Sequence, residues 1–292
     1  MRVKLEAHGR TAEIETLGGE LVSCKDQSGL EYIWQGDPAY WAGRNPLLFP
    51  IVGALREGKI NVNGTTYEMP QHGFARRQEF TLLEQGPGWA GLELRENEAT
   101  LVQYPFPFRL KVRQELTETG FATTFTVENT GTDPMPFCLG GHTAFNCPLM
   151  PGDRFEDYML CFSERENCAS LVPAGGLLDR ARAVPFLKNN DTLPLKYEYF
   201  DTADTLIFEG LKSTTVSLEH RGTRWGVRMH LEGFPMLAFW TKPNAKAPYL
   251  CIEPWHGCGA VEGEGPEFTD KAHCIVLQPG ECRTLGYQVE LL

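Results

Sequence analysis

Short runs that alternate strictly between apolar and polar residues set the narrowest limits on what this chain can become. Arg2–Ala7, Thr11–Leu17, Phe108–Arg113 and Thr215–His220 all have this pattern. A period of two buries one face of an extended segment, so each run predicts a half-buried β-strand. Turn signals punctuate them at Asn63-Gly64, Thr119-Gly120, Thr130-Gly131, Arg221-Gly222 and Pro279-Gly280. Residues 59–68 predict a hairpin turning at Asn63-Gly64. No long segment carries a 3.6-residue period with caps at its ends. Many short strands in 292 residues, with 30 glycines and 20 prolines, predict an all-β fold, a large antiparallel sandwich. No low-complexity linker divides the chain and no internal repeat stands out, so one domain over 1–292 is expected. Segment 150–195 is the least regular part and reads as an excursion from the sheets.

Charge narrows the partners. The formal net charge is -11, against the basic footprint of a nucleic-acid binder and against attraction to anionic membranes. A small anionic substrate stays open, because a few local arginines suffice to bind one. The opening residues show no apolar core or cleavage site of a secretory signal. No window approaches ~18 consecutive apolar residues. A cytoplasmic monomer or homodimer acting on a small molecule is therefore expected. The nine cysteines are odd in number and form no CxxC pair, which reads as free thiols in a reducing compartment.

The stretch GGHTAFNCP (140–148) places His142 behind two glycines. Glycines open backbone angles closed to other residues and let a ligand approach. A histidine beside them, with a pKa near neutrality, suits proton donation in a cleft. The plainer reading is a core histidine satisfied by hydrogen bonds. Glu253 follows the apolar run Tyr249-Leu250-Cys251-Ile252 and precedes Pro254-Trp255. A carboxylate there needs a partner or a task, and an apolar setting raises its pKa toward the range of a general base. His72, in Gln71-His72-Gly73-Phe74-Ala75-Arg76, sits in a turn from which it could reach a substrate hydroxyl. Arg44, Arg56 and Arg76 offer guanidinium forks for hydroxyls or a phosphate. Aromatic side chains such as Phe74 and Trp240 offer faces on which a sugar's C–H groups stack, although most aromatics serve a core.

Other chemistries lack their motifs. The dinucleotide fingerprint, the P-loop, the GxSxG elbow and the HExxH helix are all absent. Two sets, Cys138/His142/Cys147 and Cys251/His256/Cys258, mix metal-ligating residue types, but their spacings match no zinc pattern. No metal is expected.

Taken together, the segments 44–53 (RNPLLFPIVG), 58–76 (GKINVNGTTYEMPQHGFAR), 140–148 and 251–257 (CIEPWHG) resemble the aldose 1-epimerase (galactose mutarotase-like) superfamily, in its LacX-like branch. The resemblance spans most of the chain in order. It implies a β-supersandwich and no cofactor. It also implies a glutamate base and a histidine acid, roles that fall on Glu253 and His142 and interconvert the α and β anomers of a free hexose. His72 and Asp204 then match residues that contact the sugar. Relatives carry an arginine where this chain has Ala54. That leaves Arg44 or Arg56 to make its contact, or a shifted substrate preference. The acid and base are expected to flank a sugar-sized gap without touching. A hexose-6-phosphate 1-epimerase, with Arg44, Arg76 and Arg77 around the phosphate, is the alternative enzyme. A non-catalytic carbohydrate-binding protein would not need the acid–base pair.

Overall fold

Alternation becomes strand wherever the sequence shows it. In the computed structural model, which describes residues 1–174 and 177–292, Arg2–Ala7, Arg10–Glu15, Phe108–Leu116 and Thr215–His220 are all strands. The expected hairpin pairs Lys59–Val62 with Thr65–Glu68, so Asn63-Gly64 forms its turn. Among the described residues, α-helix is confined to Glu98–Gln103 and Tyr197–Ala203. No helix is long and apolar enough to cross a membrane. All described cysteines are free thiols.

Fifteen strands share one large sheet, and every strand pair in it is antiparallel. This is the all-β antiparallel fold the alternation calls for. Most residues on its buried faces join one large core, while Ala144, Tyr249 and Cys251 join a smaller cluster with Trp34 and Ala247. Towards one end lie, in spatial order, Leu47–Leu48, Leu139–Gly141, Tyr249–His256, Met236–Trp240 and Thr205–Glu209. These neighbours carry Glu253 and Trp240 within them, and His142 and Asp204 at their ends. Strand Tyr249–His256 is buried on both faces through Trp255, which explains why its sequence reads as an apolar run and not as an alternation.

Segment 150–195 is no excursion. It holds Tyr158–Leu171, at 14 residues the longest strand described, paired with Val184–Pro194. Register shifts between Cys161 and Glu166, and again at Asn167 and Ala169, break the period of two. A bulge moves following side chains to the opposite face, so a strand of this kind loses its sequence signature.

Gly73 fixes the turn that presents His72. Its φ is +69°, and an added Cβ would fall 2.1 Å from the carbonyl oxygen of Phe49. Two backbone N–H groups, of Phe74 and Ala75, already donate to that oxygen. Gly73→Ala is therefore expected to cost about 2–4 kcal/mol through strain and steric clash. Calorimetry should show a melting temperature several degrees lower. An unchanged melting temperature would mean that the turn relaxes freely.

Candidate active site

The strand ladder brings His142 and Glu253 together. Leu139 and Gly140 pair with His256 and Trp255, and Thr143 to Asn146 pair with Ile252 to Tyr249. The same register runs through the break between them, so His142 falls opposite Glu253. Pro254 has no N–H to donate, which interrupts the ladder at this point. His142 Nε2 lies 3.3 Å from Glu253 Oε2. The two groups touch, contrary to the gap expected from the sequence, because direct cross-strand neighbours are held only about 5 Å apart at Cβ. Glu253 is 1% exposed, and its Oε2 has no hydrogen-bond partner.

Burial sets the protonation of the pair. It pushes the Glu253 carboxyl well above the usual carboxylate range, helped by the nearby charge of Asp204 and opposed by the Trp255 indole N–H. It pulls His142 down to about 3. Desolvation penalises the charged form of each group, so both shifts favour neutrality. Around His142 the Trp41 ring lies at 4.9 Å between centroids, tilted by 30°, and Trp240 stands edge-on at 5.8 Å.

His72 closes one side, its ring 5.7 Å from that of His142 and edge-on to it. Its Nδ1 accepts the backbone N–H of Gly53 at 3.1 Å. That bond leaves the proton of the neutral ring on Nε2. Burial, then the neighbouring His142, keeps His72 well below its ordinary value. Asp204 follows helix Tyr197–Ala203 with φ 62° and ψ -64°. Such backbone angles are costly for a non-glycine residue and gather at functional sites. Its Oδ2 accepts the Thr205 hydroxyl at 2.7 Å.

These side chains line one cavity of about 450 Å³, a size suited to a small ligand. Gln71, His72, Arg76, His142, Asp204 and Glu253 supply its polar groups. Trp41, Trp240, Trp255 and Ile207 supply apolar surface. Of the residues singled out in the sequence, His142, Glu253, His72, Arg76, Asp204 and Trp240 meet here.

Arg44, Arg56 and Phe74 do not. The Arg44 Nε donates to the Gln35 carbonyl, and its Nη1 lies 3.9 Å from Glu15. Arg56 is exposed and paired with Glu262 at 3.6 Å, beside a different cleft. Phe74 is buried in the core against Phe49, Tyr104 and Phe108, because the turn at Gly73 sends it inward while His72 faces the cavity. The glycines before His142 also serve a different purpose. Cβ atoms on Gly140 and Gly141 would come within 2.8 Å of Trp255 and 2.7 Å of Tyr287, so they admit neighbouring side chains, not a ligand. Asn146 holds the chain in place by donating to the Glu31 carbonyl.

Ala54 does lie on the cavity wall, and the arginine that reaches the cavity is Arg76. Its Nη2 donates to the Gln71 carbonyl at 2.8 Å, while its Nε is buried without a partner. Trp41 and Trp255, which the sequence offers among its aromatics as possible stacking faces, also line the cavity, whereas Gln71 carries no sequence signal of its own. Trp255 was within reach of sequence reasoning, since it lies two residues from Glu253 on one strand and so shares its face.

Residues 1–289 match the family model described as aldose 1-epimerase. The chain belongs to the aldose 1-epimerase family. It is 37% identical, over 306 aligned positions and the full length of both chains, to the plasmid-encoded protein LacX of Lactococcus lactis subsp. lactis. The fold agrees. A galactose mutarotase related enzyme from Lactobacillus acidophilus superimposes with a TM-score of 0.95 at 27% identity, covering 100% of this chain and 97% of that one. A galactose mutarotase-like protein from Lactobacillus casei gives 0.93 at 27%, covering all of both chains. This aldose 1-epimerase family member thus has the galactose mutarotase-like β fold that its sequence motifs imply.

Proposed function

We propose that the protein interconverts the α and β anomers of a free aldose, with Glu253 as base and His142 as acid. The observation that carries this reading is the buried His142–Glu253 contact on the wall of a sugar-sized cavity. Glu253 takes the proton of the C1 hydroxyl while His142 gives a proton to the ring oxygen. The C1–O5 bond breaks and the aldehyde forms. Rotation about C1–C2 and reclosure, with the roles reversed, yields the other anomer. Positioned proton transfer contributes ~10²–10⁴-fold, enough for a reaction that already proceeds in water.

The contact distance suggests how the pair is charged. Burial favours a neutral acid at Glu253 beside a neutral imidazole at His142. The active form, carboxylate beside imidazolium, contains the same number of protons. Once the 3.3 Å contact is drawn into hydrogen-bonding alignment, one proton transfer connects the two forms, with nothing taken from solvent. A sugar hydroxyl at C1 and a ring oxygen at O5 stabilise the ionised form on binding. The pair accepts a second proton only well below the ordinary histidine value of 6.5. As pH falls from 7 to 5, kcat/KM is therefore expected to stay level. A pH–rate profile with a half-maximal fall near 6.5 would mean that His142 titrates as an exposed imidazole.

Remaining groups bind the sugar. His72 Nε2–H and Arg76 donate to hydroxyls, Asp204 accepts from them, and the indoles cover C–H faces. A free sugar fits better than a phosphorylated one. Of the arginines considered for a phosphate, only Arg76 reaches the cavity, and the Asp204 and Glu253 carboxyls share it. Polarimetry on freshly dissolved glucose, galactose and glucose 6-phosphate tests this point. The expected order is faster turnover of the free hexoses. A clear preference for glucose 6-phosphate would favour the phosphate reading, and sugar binding without acceleration would favour a carbohydrate-binding protein.

A further inference from the structure

A third ligand-type side chain lies beside the acid–base pair. The ligating atoms of His142, Cys251 and Glu253 lie within 4.8 Å of one another, and all three residues are buried. Cys251 and Glu253 are two residues apart on strand Tyr249–His256 and so share a face, while His142 meets that face from the adjacent strand. The group takes one member from each of the two sets that the sequence suggested and the spacing rejected. Strand pairing, not sequence spacing, assembles it.

The geometry suits a particular ion class. A tetrahedral zinc ion bound at about 2.0–2.1 Å by a nitrogen and an oxygen holds those two atoms about 3.3 Å apart. His142 Nε2 and Glu253 Oε2 stand at 3.3 Å. Glu253 Oε2 is buried without a hydrogen-bond partner, as a ligand oxygen awaiting an ion would be. A thiol beside an imidazole selects borderline and soft cations over calcium or magnesium, which prefer oxygen cages. His142 and Glu253 both line the cavity, so the fourth coordination position opens onto it.

We propose that His142, Cys251 and Glu253 form a binding site for a divalent cation of the zinc class, and that the bound ion blocks the acid–base pair. As the ion binds, the Cys251 thiol and the neutral Glu253 carboxyl each release a proton to solvent, and His142 coordinates as the neutral imidazole. Blocking rests on the function proposed above, whereas ion binding does not.

Cobalt(II) is the probe, because a cobalt–thiolate bond absorbs in the near ultraviolet and zinc displaces it. The titration uses the full chain with Cys282, the exposed thiol, replaced by serine. One equivalent should produce the charge-transfer band, and zinc should abolish it. Cys251→Ser in that background should lose the band, keep mutarotation, and raise the zinc concentration for half-inhibition by ~10-fold or more. His142→Asn, read by the same band, should weaken cobalt binding and guards against misfolding of the serine variant. A band that persists in Cys251→Ser places the ion on another cysteine and overturns the proposal, as does the absence of any band in the parent. If the band depends on Cys251 but the parent does not accelerate mutarotation, the site stands and the proposed function falls.

Discussion

Replacing Glu253 by glutamine should slow the catalysed mutarotation by about 10²–10⁴-fold. The two side chains have nearly the same shape, and strand Tyr249–His256 is buried on both sides, so the fold and the cavity should persist. What glutamine lacks is a site for the proton of the C1 hydroxyl. Its amide also ends the proton exchange with His142, leaving the imidazole in its neutral form. The loss should therefore appear in kcat while KM for the sugar changes little, the pattern of an interaction made in the transition state. Saturation kinetics by polarimetry, with thermal melts as a control for folding, measure both. A variant with parental kcat would remove Glu253 from the chemistry.

His142→Asn should cause a drop of similar size, ~10²–10⁴-fold. Asparagine still fits between Trp41 and Trp240 but cannot protonate the ring oxygen. It also leaves the Glu253 carboxyl buried without its neighbour, which favours the protonated, inactive form further. If the two residues act as a unit, the double variant should lose little more than either single one. His72 lies close by, but its Nδ1 is held by the Gly53 N–H and its proposed role is to bind a hydroxyl, so it should not replace the acid. Losses that multiply in the double variant would show two independent contributions and contradict a shared proton.

Much of this site was legible in the sequence because its key residues sit in local patterns. Glu253 breaks an apolar run, His142 follows two glycines, and His72 precedes one. What the sequence could not show was pairing. The contact between His142 and Glu253 comes from a ladder joining residues more than a hundred positions apart, as does the nearness of Cys251 to His142. The turn at Gly73 decides that Arg76 and His72 reach the cavity while Phe74 enters the core, and a motif read as a string does not distinguish them. Gly140 and Gly141 read as room for a ligand, but close packing on Trp255 and Tyr287 demands glycine there just as firmly. The strand Tyr158–Leu171 stayed hidden because its bulges erase the alternation on which strand prediction depends.

Polarimetry of a freshly dissolved hexose anomer tests the central claim most directly. With the parent protein, optical rotation should approach equilibrium faster than in buffer, at a rate linear in protein concentration. Glu253→Gln at the same concentration should return the rate almost to that of buffer. A parent protein that leaves the buffer rate unchanged for glucose, galactose and their 6-phosphates would contradict the proposed chemistry.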